Sequence, residues 1–238
     1  MKKGTFGTLL VTLAFLVMLT FQECFAGVVI HQVMKDREGT TSAVVLHYSG
    51  EQLRTDNTGS GLTTIMDFKD DRMIMIDHRS KQYVDTKLSQ WEKEMMDRIK
   101  KEPQGIQPNA RKITVRKTGE TATLNGFRTE KIQILAGGEL IEEDWVTRDV
   151  DMTEIEKTME RAVQGYSKEF GAAMQEGGEI YLKIKPYGFP ILVKDYSIAQ
   201  GLAIDVLEVK QWEQKELGKE VFAPPSGYER IIVEPSKK

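Results

Sequence analysis

From residue 28 to residue 85 the chain switches repeatedly between short apolar or β-branched runs and polar turns. The runs cover residues 28–34, 43–48, 51–56, 63–68, 72–77 and 82–85. Ser49-Gly50, Gly59-Ser60-Gly61 and His78-Arg79-Ser80-Lys81 separate some of them. Short strand-like runs with Gly, Ser, Asp and Asn between them predict an antiparallel meander.

The period then changes. Leu88, Trp91, Met95, Met96 and Ile99 fall at helical spacing on one face, and Ser89-Gln90-Trp91-Glu92 reads as a capping box. Pro103 stops this helix, and residues 102–109 read as a loop. Strands resume at 112–117 and 121–124. Asn125-Gly126 then signals a tight turn into 127–135, and Gly137-Gly138 leads into 140–147. A second helix is predicted over 153–175. It opens on the capping box Thr153-Glu154-Ile155-Glu156, and Gly177-Gly178 ends it. Ile155, Met159, Ala162, Val163, Tyr166, Phe170 and Met174 form its apolar stripe. Further strands are expected at 180–184, 191–198, 202–212 and 231–233, with Gly188-Phe189-Pro190 as a turn. No internal repeat aligns. The reading is a single domain over residues 27–238, mainly β with α. Its antiparallel sheet has about ten strands, crossed by two amphipathic helices.

Residues 1–26 are read apart from the fold. Lys2 and Lys3 precede an apolar run at 9–21 broken only by Thr12 and Thr20. Cys24 and Ala26 then place small residues at a cleavage site. This is the order of a secretory signal peptide cut after Ala26, and it predicts a periplasmic protein with no membrane span after cleavage. Lipidation at Cys24 is disfavoured by Glu23 and Phe21 before it. Cys24 is the single cysteine, so a disulfide framework and a cysteine-cluster metal site are excluded.

The search for chemistry is negative. A formal net charge of −3 carries no nucleic-acid footprint. There is no Gly-x-Ser-x-Gly elbow and no Gly-rich loop between a strand and a helix, so neither a hydrolase nor a nucleotide site is supported. His31 and His47 sit in strand runs and read as packed or surface residues. Asp67, Asp70, Asp71 and Asp77 fit solvated turns better than a calcium loop. Met73, Met75 and His78 could form a soft copper(I) set, but two core or cavity methionines are the preferred reading. Glu142-Glu143-Asp144 reads as a solvated edge. No enzyme activity, metal or cofactor is expected.

What the sequence supplies is apolar surface: eleven methionines, three tryptophans and two helical stripes. These stripes either close a core or lid a cavity left by a sheet too wide to fill itself. Met73, Met75, Tyr83, Trp91, Met95, Ile99, Met159, Val163 and Phe170 are the candidate lining, with the Trp91 helix as lid. Methionine suits an apolar ligand because its side chain is flexible and polarizable.

Lys69-Asp70-Asp71-Arg72-Met73-Ile74-Met75-Ile76-Asp77, followed by Lys81-Gln82-Tyr83-Val84, resembles a pattern of the periplasmic outer-membrane lipoprotein carriers (LolA-like proteins). Gly50-Glu51-Gln52-Leu53-Arg54 looks like the preceding strand of that family. Thr55 stands where that family has proline, so no gating role is carried to Arg54. A family of uncharacterised exported bacterial proteins, thought to share that fold, is also similar. Its features match Gly119-Glu120, Asn125-Gly126-Phe127, Thr129-Glu130-Lys131, Trp145-Val146-Thr147, Gly188-Phe189-Pro190, Val221-Phe222 and Pro225-Ser226-Gly227-Tyr228, in that order. The resemblance implies an open antiparallel half-barrel covered by helices, and it implies no activity. The expected function is binding of a lipid, acyl chain or lipoprotein in the half-barrel. The alternative is a cell-envelope scaffold with a filled interior.

Overall fold

Residues 25–35, 38–99, 111–165, 172–196 and 204–232 are described by the structure, a computed structural model. The first strands are β1 (Phe25–Lys35), β2 (Thr41–Ser49), β3 (Gln52–Asn57), β4 (Leu62–Asp67), β5 (Arg72–Asp77) and β6 (Gln82–Lys87). Helix α1 (Leu88–Ile99) follows, then β7 (Ile113–Leu124), β8 (Phe127–Ala136) and β9 (Glu139–Thr147). Helices α2 (Thr153–Gly165) and α3 (Ala172–Ile184) precede β10 (Phe189–Asp195), β11 (Ile204–Leu217) and β12 (Glu229–Ile231). All twelve strands join one open sheet in the order β12-β6-β5-β4-β3-β2-β1-β11-β10-β9-β8-β7. Neighbours are antiparallel except β12, which runs parallel to β6. The mainly β, open antiparallel sheet expected from the sequence is thus what forms, with twelve strands among the described residues instead of about ten.

Strands β3 to β6 repeat with a period of ten residues, which the sequence reading missed. The connecting turns carry a carboxamide or carboxylate at the same place. Asn57, Asp67 and Asp77 each accept the backbone N–H three residues on, from Ser60, Asp70 and Ser80. Each turn then places one residue at positive φ: Gly61 (+70°), Asp71 (+49°) and Lys81 (+55°). A short polar side chain that closes on the backbone is what such a turn needs. The acidic cluster at 67–77 is therefore turn chemistry.

Several expectations about element limits and caps need correction. Gly177 and Gly178 lie inside α3, and residues 180–184 are helical, not a strand. Ile180 and Ile184, four apart on one helical face, pack against Ile113, Ile132 and Ile134, and this packing outweighs the glycines' low helix propensity. The two capping boxes are also replaced. The Ser89 hydroxyl donates to Asp71 and the Thr153 hydroxyl to Asp151 (2.8 and 2.7 Å), so carboxylates outside the helices serve these ends. Residues 112–117 and 121–124 form one strand, β7, with an irregularity between Lys117 and Thr121.

The sheet has two covered faces. On the inner face Val28, Ile30, Tyr48, Ile191 and Val209 pack with Ile155 of α2, with Met159 at the margin. Farther along that face α3 covers the Ile132/Ile134 cluster. Helix α2 is held at the β2–β3 turn by Gly50, whose N–H donates to Glu154 (2.7 Å) and whose carbonyl accepts from Thr158 (2.8 Å). On the outer face Val29, Ile65, Ile74 and Ile76 are sealed by the C-terminal segment through Phe222, Val221 and Tyr228.

A polar chain fastens that segment. Arg54 holds Asp56 and donates to the Val221 carbonyl at 2.7 Å. The Thr63 hydroxyl donates to Asp56 and lies 2.8 Å from His78 Nε2, while His78 Nδ1 lies 2.9 Å from the Tyr228 hydroxyl. Because Asp56 takes the Thr63 proton, Nε2 must donate to Thr63. His78 is therefore a structural link.

Candidate functional site

Pairing fixes which side chains share the inner face. Met73 pairs with Met66, which pairs with Leu53, which pairs with Tyr48, which pairs with Val28. Directly opposed residues point to the same side of a sheet, so Met73 and Met75 both belong to the inner face. Met73 is buried and Met75 half-buried. Met159 of α2 borders the same core. Tyr83 is different. It pairs with Ile76 and packs in the outer cluster, so it does not line the helix-covered side. The same geometry separates Met73 and Met75 from His78 and disposes of the copper set. No group of three or more His, Cys, Asp or Glu that could hold a metal occurs among the described residues.

Trp91 and Met95 are half-buried on α1, which starts at buried Leu88 and packs beside β5 and β6. Ile99 and Val163 lie in α1 and α2, but their side chains fall outside what is described. Phe170 and the loop at 102–109 also lie outside the described residues.

The feature that sequence reasoning missed is acidic. Glu142-Glu143-Asp144 is no solvated edge, because β9 lies between β8 and β10 in the sheet interior. Asp144 is 1% exposed and Glu143 8%. Alternation along the strand splits the run. Glu143 faces outward, where Gln133 and Tyr196 donate to it and Lys131 lies 3.4 Å away. Those donors and that cation hold its carboxyl below the usual range despite burial, and the Tyr196 phenol is pushed up to about 12. Glu142 and Asp144 face inward, opposite Ile134 and Ile132. Burial, then Asp195 across the strand pair, pushes Glu142 up to about 7. Burial, then Glu142, holds Asp144 well above the ordinary carboxylate range. Asp144 Oδ1 has no hydrogen-bond partner among the described residues. The available signal is the i, i+2 spacing of two acids in a strand with apolar neighbours.

Two other inner-face groups bear on the site. Gln32, paired with Val209 and Val44, is 5% exposed and its Oε1 is unpartnered. The Tyr181 hydroxyl of α3 is likewise unpartnered, and Tyr181 lies close enough to Tyr48 to add to the rise that burial causes in that phenol. Near the Val146 end of β9 an open cleft of about 590 Å³ is lined by Thr121, Thr123, Glu130, Val146, Arg148 and Tyr187, among others. Arg148 is engaged by the carbonyls of Pro186 and Tyr187.

No helix among the described residues is long and apolar enough to cross a membrane. A comparison with curated proteins finds no match. Among solved structures, an uncharacterized conserved protein from Thermus thermophilus is similar at 10% identity and TM-score 0.47, over 86% of this chain and 89% of that one. MucB, solved in complex with MucA(peri), is similar at 10% identity and TM-score 0.40, over 87% of this chain and 57% of that one. PNGF-II is similar at 9% identity and TM-score 0.38, over 88% of this chain and 32% of that one. A family model matches residues 25–228, and the chain belongs to that family, the Domain of unknown function (DUF4412).

Proposed function

We propose that this protein binds and carries an apolar chain, such as a fatty-acyl group or the acyl part of a lipoprotein, on the inner face of its sheet. One contrast supports the reading. On the outer face the C-terminal segment leaves Ile65, Ile74, Ile76 and Phe222 at 6% exposure or less, with Val45, Tyr83, Val221 and Tyr228 half-buried around them. On the inner face Leu46, Leu53, Leu207 and Trp212, which pack on the core beneath α2, and Met66 and Met75 farther along remain half-buried. Apolar surface left half-covered beneath helices is what an acyl chain would cover, and each buried methylene would contribute about 0.8 kcal/mol. The protein acts here as a binder without a chemical step. Its place is the periplasm if residues 1–26 serve as the signal their order suggests. A filled scaffold is the second reading, favoured by the near-zero exposure of Ile30, Ile155, Ile191 and Val209.

Native mass spectrometry after incubation with a monoacylglycerol separates the two. The carrier reading expects one molecule retained per chain. A spectrum with the unliganded mass alone contradicts it.

A further inference from the structure

We infer that the Glu142/Asp144 pair is the head-group site of the inner face, and that it takes the primary ammonium of an amphiphile with a straight apolar chain. The inference rests on the proposed apolar-chain binding and adds the chemistry of the head.

Three observations carry it. First, the two carboxyls share one face of β9, and among the described residues the charged groups that act on them are acidic: Asp195 on Glu142, and Glu142 on Asp144. Asp144 is flanked by apolar residues, Val193 across on β10 and Ile132 across on β8, while Glu142 stands between Asp195 and Ile134. Second, Asp144 Oδ1 is an acceptor without a donor among the described residues, in a residue only 1% exposed. A buried polar group without a partner destabilises the fold, and a ligand that brings donors relieves it. An ammonium brings three donors and one positive charge and has no acceptor to offer. A carboxylate head would bring only acceptors and a like charge. Third, there is an opening close by. Val146, two residues from Asp144 on the same face, lines the open cleft between β8, β9 and Tyr187. In the other direction Val193 and Leu207 lead from Asp144 toward the half-buried inner-face residues, in register strand by strand. Adjacent strands lie about 4.8 Å apart, so the two-strand step from Asp144 to Leu207 is about 10 Å, within the reach of a short alkyl chain.

The test is displacement at pH 8 of bound 11-bromoundecanol by three ligands of one chain length: dodecylamine, 1-dodecanol and dodecanoic acid. Trp212 fluorescence is the readout, in protein carrying W91F and W145F. The expected order is amine, alcohol, acid, with the amine at least tenfold tighter than the alcohol. D144N and E142Q each bring the amine close to the alcohol, with thermal melts confirming that each variant is folded. Equal displacement by all three ligands overturns the head-group assignment and leaves the apolar-chain reading standing. An amine advantage that survives both substitutions also overturns it, because surface charge would then explain the preference. If 11-bromoundecanol itself does not bind, the apolar-chain reading fails and this inference fails with it.

Discussion

Glu142 and Asp144 sit in a dry part of the sheet, and their neutral forms are the ones the fold favours. For Glu142 the consequence can be worked through. The unfolded chain releases this proton near 4.5 and the folded chain near 7. Between those values the native state binds more protons, so stability falls as pH rises, by about 3 kcal/mol across the window. His47 works the other way: burial lowers its pKa below 6.5, so its contribution is lost as pH falls. The two are separated by substitution. E142Q should be more stable than the wild type by about 3 kcal/mol at pH 8 and nearly equal to it at pH 4.5, as read by urea unfolding. A gap that does not change with pH would show that Glu142 is not buried as described. Sequence alone misplaces this residue because a run of three acids suggests a solvated edge. The rule that adjacent strand residues face opposite ways splits the run, but only once β9 is known to be interior.

At the scale of elements, α3 is where sequence and structure part most clearly. Gly177-Gly178 can end a helix or lie within one, and composition alone does not distinguish the two. The Ile180/Ile184 spacing is the helical signal, yet a run this short and apolar fits a strand equally well. The difference is measurable. Gly177 has ordinary helical backbone and nothing within 4 Å of the position a Cβ would take. G177A should therefore stabilise the protein by about 0.5–1 kcal/mol. Were Gly177 a left-handed helix terminus instead, the same change would cost about 1–2 kcal/mol. Differential scanning calorimetry of the variant decides the sign. The meander is far more legible, since β5 matches its expected limits. Its ten-residue period is hidden because the four strands share little sequence. Only the turn position repeats, as Asn57, Asp67 and Asp77, and it repeats for a backbone reason.

For the whole molecule, the proposed binding of an apolar chain turns on an asymmetry between the faces of one open sheet. The outer face is closed by the chain's own C-terminal segment, through Phe222 and the Arg54–Asp56–Thr63–His78–Tyr228 chain of contacts. The inner face is only partly closed by helices. Met73 and Met75 are legible as a same-face pair from parity along β5 alone. Tyr83 is not legible in this way, since its face depends on the β5–β6 register, and that is set by the turn. Trp212 reads from sequence as a strand residue and nothing more, yet it stands on the inner face against Phe189, ring centroids 5.0 Å apart. That position makes it the natural reporter. With W91F and W145F in place, Trp212 emission is followed while 11-bromoundecanol is added below its aggregation limit. The apolar-chain reading predicts saturable quenching with one site per chain. Quenching that rises only linearly with concentration, as collisions in solution would give, contradicts it.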